Sequence, residues 1–269
     1  MKEAQKFQQQ EVDRSPLSEL AEQFLKVSIH HSLKKLTLVG LSYIMISVAL
    51  GFTLRAWYIE TKWAILRQCQ RIQTEEGKCE GRVEALRILI DANASLQSID
   101  LSNADLSGAD LSNANLKEAN LQKANLRGAN LRRVNLRKAN LWGVNLVQAD
   151  LSESDLIMAQ FSSAKLSRAN FFRSNLIGSQ FWAANLKGAN FTGADIRGAN
   201  LKLANFDEVN LINVYEADPE TIKTACYWQK AKMSDTLRVQ IQQAPDTFPT
   251  PRDSDTFKGA CAEVARRPD

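Results

Sequence analysis

A chain of 269 residues that is 44% hydrophobic and 24% charged has room for one or two ordinary globular domains. Its formal net charge of +4 is too small for a protein that neutralises many phosphates and too positive for an acidic one, so any polyanion must meet a local patch. The four cysteines, Cys69, Cys79, Cys226 and Cys261, form neither a zinc-knuckle spacing nor a CxxC redox pair; structural or incidental roles remain, with pairing left open.

At the amino end Ser15-Pro16 offers an N-cap and a first-turn proline, and Leu17, Leu20, Ala21, Phe24 and Leu25 recur at helical spacing. This predicts an amphipathic segment over 1–35. Leu36 to Leu54 (LTLVGLSYIMISVALGFTL) carries no charge over nineteen residues. At about 1.5 Å per residue such a helix covers about 28 Å, close to the roughly 30 Å hydrocarbon thickness of a bilayer. With Trp57 and Tyr58 as interfacial anchors, the expectation is an uncleaved transmembrane helix over 36–58 and a single-pass membrane protein; a buried core helix is the alternative. Lys26, Lys34 and Lys35 before the span against Arg55, Lys62, Arg67 and Arg71 after it do not separate the two orientations. The orientation carried forward puts the carboxyl-terminal domain in the cytoplasm.

Residues 59–93 are predicted to form a juxtamembrane helix, or a weak coiled coil, and then an amino-terminal cap. Ile59, Trp63, Leu66 and Ile72 make a thin apolar stripe, Gly77 and Gly81 interrupt it, and Arg82 to Asp91 reads as a short helix whose Val83, Leu86, Leu89 and Ile90 need covering. A straight helix from Arg55 to Gln73 would hold the following domain about 28 Å from a bilayer.

From Ala94 the chain repeats every five residues without a slip of register, through residue 213. Numbering each unit from its small residue, the third position is Leu eighteen times, Phe five times and Ile once over 24 units, so no polar residue stands there. The first position is Ala seventeen times, otherwise Val, Ser or Ile, and the second is Asn fourteen times and Asp six. A period of five fits neither the 3.6 of a helix nor the 2 of a strand. A coil with corners does fit. Four units make a square turn whose first and third positions point to the axis, and 24 units make six coils, about 29 Å long at a spacing of about 4.8 Å. Asn and Asp suit the second position because their side chains bond nearby backbone in turns.

Units such as Ala104-Asp105-Leu106-Ser107-Gly108 and Ala124-Asn125-Leu126-Arg127-Gly128 resemble the A(D/N)LXX pattern of the pentapeptide repeat family. The resemblance implies a mainly β fold, a right-handed quadrilateral β-helix, here preceded by the transmembrane helix and flanked by short capping helices. Gln160, Lys165 and Gln180 depart from the pattern only at the second position. The flanks, GRVEALRIL before and DPETIKTACYWQKA after, are similar to those of multi-repeat members in photosynthetic bacteria.

A solenoid needs both ends covered. Asp218-Pro219-Glu220 is a helix start, and Ile222, Ala225, Cys226 and Trp228 give residues 214–243 an apolar side, which reads Cys226 as a buried small hydrophobe rather than a reactive thiol. Beyond that, the proline-rich APDTFPTPRDSDTF segment predicts a flexible tail over 244–269.

Catalysis has few candidates. His30 and His31 are the only histidines and both precede the span, no phosphate loop or G-x-S-x-G elbow occurs, and the Asp/Asn column has a structural explanation. The expectation is a non-enzyme with no cofactor, no metal and no small-molecule substrate. Family members that protect gyrase resemble DNA and need an acidic solenoid, whereas residues 94–213 hold 13 Lys and Arg against 10 Asp and Glu. Topoisomerase modulation and nucleic-acid binding therefore stand as alternatives to a membrane-tethered scaffold for a protein partner. Two outward sets are candidates for its contacts. Lys117, Lys123, Arg127, Arg132, Arg133, Arg137 and Lys138 meet only Glu118 in the same span, which suits solubility or an acidic partner. Ile157, Met158 and Ile177 share one face, with Phe172 on the next; they are either scattered surface hydrophobes or an association surface, homo-oligomeric assembly included.

Overall fold

The five-residue pattern becomes a stack of square coils in the structure, a computed structural model that describes residues 54–71, 79, 81–245 and 255–266. From Asp100 to Asp195 each unit puts its second residue in a parallel bridge with the residue twenty positions on, as in Asp105 with Asn125 and Asn125 with Asn145. Fourth and fifth positions form the corners. There the first-position amide of the next unit donates to the third-position carbonyl, as Ala129 N does to Leu126 O at 3.0 Å. Between corners only about three residues are extended, so each face contributes one bridge and no longer strand forms among the described residues. The coils are joined by backbone bonds such as Leu126 N to Asn145 O at 2.7 Å and Gly128 N to Val147 O at 2.9 Å.

The interior is filled as predicted. All 24 third positions are buried, and so is every first position except the half-buried Ala94. Ser174 and Ser179 are admitted because their hydroxyls donate to Leu151 O at 2.8 Å and Leu176 O at 2.7 Å, leaving no orphaned polar atom. The lower coils are all leucine. The upper ones stack Phe161 on Phe181 at 4.9 Å and Phe171 on Phe191 at 4.8 Å, with edge contacts between the two stacks.

Helix α1 (Leu54–Arg71) and helix α2 (Arg82–Asp91) precede the coils. Ala85, Leu86, Leu89 and Ile90 are buried at the first coil; Val83 is exposed, so Ala85 takes the inward place expected of it. The free stalk expected after the hydrophobic stretch is not present. From Ile59 the α1 stripe packs into the same core, through Ile59, Trp63 and buried Leu66, and a Cys69–Cys79 disulfide ties α1 to the start of α2. From Ile59 onward α1 is thus part of the solenoid domain rather than a free spacer. Of the predicted span 36–58 only residues 54–58, at the start of α1, are among the described residues, and residues 1–35 lie outside them; among the described residues no helix is long and apolar enough to cross a membrane.

At the other end Asp218 caps helix α3 (Pro219–Lys223) by accepting from Glu220 N and Thr221 N. Cys226 and Lys232 then bridge the last coil, and Ile222, Ala225, Cys226 and Trp228 are buried as expected. Helix α4 (Asp235–Gln243) inserts Ile241. The carboxyl-terminal tail is corrected in part: helix α5 (Asp255–Arg266) buries Cys261 and Val264 and is bonded by Cys261 to Cys226. Cys226 is thus buried but is half of a disulfide, and all four cysteines are paired.

Candidate functional site

The second column is a hydrogen-bonded ladder with a direction. Asn125 Oδ1 accepts from Arg127 N within its own turn, while its Nδ2 donates to Asp105 Oδ1 one coil below at 3.0 Å. An aspartate accepts but cannot make that downward donation. Asp100, Asp105 and Asp110 therefore suit the first coil, which has no coil beneath it, and receive from Asn120, Asn125 and Asn130. Three aspartates stand higher, and each is met by an arginine: Asp150 by Arg132 at 4.0 Å, Asp155 by Arg137 at 3.1 Å, Asp195 by Arg197 at 2.7 Å. The carboxyl of Asp195 is held below the usual range, first by its hydrogen bond to Arg197.

That ladder accounts for part of the basic girdle. Arg132 and Arg133 both reach Glu153, at 3.3 and 2.9 Å, and Lys117 lies 3.7 Å from Glu118. Glu153 is accordingly held below the ordinary carboxylate range, chiefly by its hydrogen bond to Arg133. Lys123 places its Nζ 5.2 Å from the Trp142 ring centroid. Only Arg127 and Lys138 of the seven make neither an ion pair nor a ring contact among the described residues. The counterions were missed because they stand about one coil ahead in sequence, not within the basic stretch.

The girdle is spread over all four corners, but one corner joins it to the apolar set. Lys117-Glu118, Arg137-Lys138, Ile157-Met158 and Ile177-Gly178 stand on successive coils of a single corner. Ile157 and Ile177 are half-buried and stacked; Met158 is 54% exposed and held at φ 58. Phe172 is on the neighbouring corner, beneath the Arg173 guanidinium.

Chemistry of the enzyme kind finds little to build on. Among the described residues no cluster of His, Cys, Asp or Glu could hold a metal; the shifted carboxyls are Glu153, Asp195 and Asp207, held in ion pairs, and Asp110, lowered first by its hydrogen bond with Ser112. His30 and His31 lie outside the described residues.

Eight copies of the pentapeptide repeats pattern match, over residues 94–133, 129–168, 164–202 and 184–215. The chain belongs to the pentapeptide repeat family. The square coils are therefore those of the family's right-handed quadrilateral β-helix. Among solved structures, this pentapeptide repeat protein is similar to one from the Arabidopsis thaliana thylakoid lumen, at 30% identity over 44% of this chain and 70% of that one, with a TM-score of 0.29. It is also similar to HetL, a pentapeptide repeat protein of the cyanobacterium Nostoc involved in heterocyst differentiation regulation, at 29% identity over 46% and 66% of the two chains and a TM-score of 0.24. QnrB1, a plasmid-mediated fluoroquinolone resistance protein, is similar at 21% identity over 56% and 87%, with a TM-score of 0.35. No curated protein matches the chain.

Proposed function

We propose that this pentapeptide repeat protein is a membrane-tethered, non-catalytic scaffold that binds a protein partner along the Ile157 corner. The observation that carries the reading is the continuity there of Arg137 and Lys138 with Ile157, Met158 and Ile177 on adjoining coils. An apolar anchor beside an acidic group is the complementary partner surface. A filled interior and a second column committed to turns and ladder bonds support the absence of catalysis. The uncharged stretch 36–54 supports the tether.

The orientation proposed reverses the cytoplasmic placement expected from the sequence, between which and its opposite the flanking charges do not decide. Disulfides persist on the oxidising side of membranes, and one stands at each end of this solenoid. That supports placing the domain outside the cytoplasm, in a periplasmic or lumenal space. A membrane-impermeant maleimide applied to cells or vesicles, with and without reductant, checks it: reductant-dependent labelling of all four cysteines from that side is expected, and labelling without reductant from the cytoplasmic side would refute it.

Crosslinking in intact membranes tests the corner. Changing Ile157 and Ile177 to Lys should abolish the partner adduct, and reversing Arg127 and Lys138 to Glu separates the corner from the rest of the girdle, because only Lys138 belongs to it. Adducts unchanged in the isoleucine variant would remove this corner from the interface. A gyrase-type reading gains nothing from a net +3 solenoid surface, and salt-sensitive DNA binding by the purified chain would favour the nucleic-acid alternative instead.

A further inference from the structure

A different corner carries a second kind of site. Trp142 and Trp182 stand in one column two coils apart with Ser162 between them, a register fixed by the bridges of Asn140 with Gln160 and Gln160 with Gln180. The two indoles are 39% and 44% exposed, while Ser162 and Ser163 are half-buried, so two aromatic crests flank a notch one coil wide. No charged residue stands on this face or its corner over these three coils, although a quarter of the chain is charged; Lys123 and Lys202 bound the strip below and above. The side that follows this corner carries Lys165 and Arg168, the remaining two carry Glu153 and Asp155, and Lys123 reaches up to place its Nζ 5.2 Å from the Trp142 ring centroid, leaving Trp182 the more exposed crest.

We propose that this strip binds a proline-rich peptide in the polyproline II conformation. Such a helix turns once in three residues at about 3.1 Å each, so side chains three apart recur on one side at about 9.3 Å. Two coils at about 4.8 Å set the tryptophan columns about 9.6 Å apart. A peptide lying along the solenoid axis thus lays two prolines, three residues apart, on the two indoles and passes its intervening residues over the serines. Its backbone carbonyls, which bond nothing within the helix, face the exposed Gln160 amide, the Ser162 hydroxyl and the indole N–H groups. A preformed helix loses little conformational freedom on docking, which lets so short a site bind it. A nucleic-acid strand also stacks on aromatics but follows a continuous positive groove, whereas Lys123, Lys165 and Lys202 stand two coils apart in succession here.

The test uses the full chain in detergent micelles and fluorescein-labelled decaproline, read by anisotropy. Saturable binding is expected, weakened about tenfold or more by either Trp142→Ala or Trp182→Ala. Thermal unfolding of both variants should match the parent, since the rings are exposed. Ile157→Lys, on the partner corner, should leave decaproline binding unchanged, so the strip stands or falls apart from the scaffold reading. Failure to saturate, or equal binding by the double tryptophan variant, overturns the proposal. Saturation by chitohexaose or by oligothymidine but not by decaproline overturns it too, and assigns the strip to glycan or to single-stranded nucleic acid.

Discussion

Asn125 donates its amide hydrogen to the carboxylate of Asp105, one coil below, at 3.0 Å. The bond gives the second column a polarity, because only an amide can both cap its own turn and donate downward. Asn125→Asp should therefore set two carboxylates against each other and cost about 2 kcal/mol at neutral pH. The crowded pair has a raised folded-state pKa, so the penalty relative to the parent should shrink as pH falls through about 4, where both forms protonate. Thermal melts of variant and parent at several pH values check this; a penalty independent of pH would sink the ladder's polarity.

Arg137 and Asp155 form the complementary case. Arg137→Ala leaves Asp155 facing the Asn135 carbonyl oxygen without its cation, and a loss of about 0.5–1 kcal/mol is expected for this half-exposed pair. Asp155→Asn restores a downward donor and should recover most of that loss. Unfolding of the two single variants and the double variant measures the coupling, and simple additivity would show that the arginine is not there for the aspartate.

Leu146 is fully buried in the third-position column, and Gln148 is exposed two residues later. Leu146→Asp should cost about 4 kcal/mol or more, because it buries an unpaired charge in an apolar stack. Gln148→Asp should be close to neutral. Equal melting temperatures for the two variants would contradict the inward assignment.

Asp207 links the last coil to the carboxyl-terminal cap, lying 3.1 Å from Lys187 and 3.3 Å from Lys230. Burial alone pushes its carboxyl up, but the two ammonium groups outweigh that and hold it below the ordinary value. A depressed folded-state pKa contributes stability that is present above the unfolded value of about 4 and lost as pH falls through the folded one. Asp207→Asn should therefore lower stability at pH 7 and flatten its decline on acidification. A parent-like acid slope in the variant would count against this linkage.

Reduction of the Cys226–Cys261 bond, which closes a loop of 35 residues, should lower stability by about 2–4 kcal/mol and expose helix α5 to limited proteolysis. Protease resistance of α5 after complete reduction would mean that its buried Val264 holds it without the disulfide.

The third-position column was legible because burial imposes it without exception. The fifth position was legible too, yet passed over: seven of its residues, from Gly108 to Gly198, are glycines, and every one has positive φ. The corner needs that left-handed conformation, as in a type II turn, and at Gly193 a Cβ would also sit 3.3 Å from the Arg173 side chain. Ion pairs such as Arg133 with Glu153 follow from the twenty-residue coil, but their acids stand one coil ahead of the basic stretch, so composition within that stretch hides them. The disulfides join residues 10 and 35 apart with no motif, so the chain alone could not choose partners.

Bridges that join each second-position residue from Asp100 to Asp195 to the one twenty ahead make length and azimuth independent quantities. Loss of a whole coil shortens the stack and leaves the corners aligned. Loss of one unit, residues 162–166 for instance, keeps an apolar residue at every third position but turns all that follows by a quarter. Ile177 would then stand above Ser152, and Trp182 above Ile157. Unit duplication and deletion therefore act on this protein like a combination dial, reassorting whole surface columns while the interior is untouched.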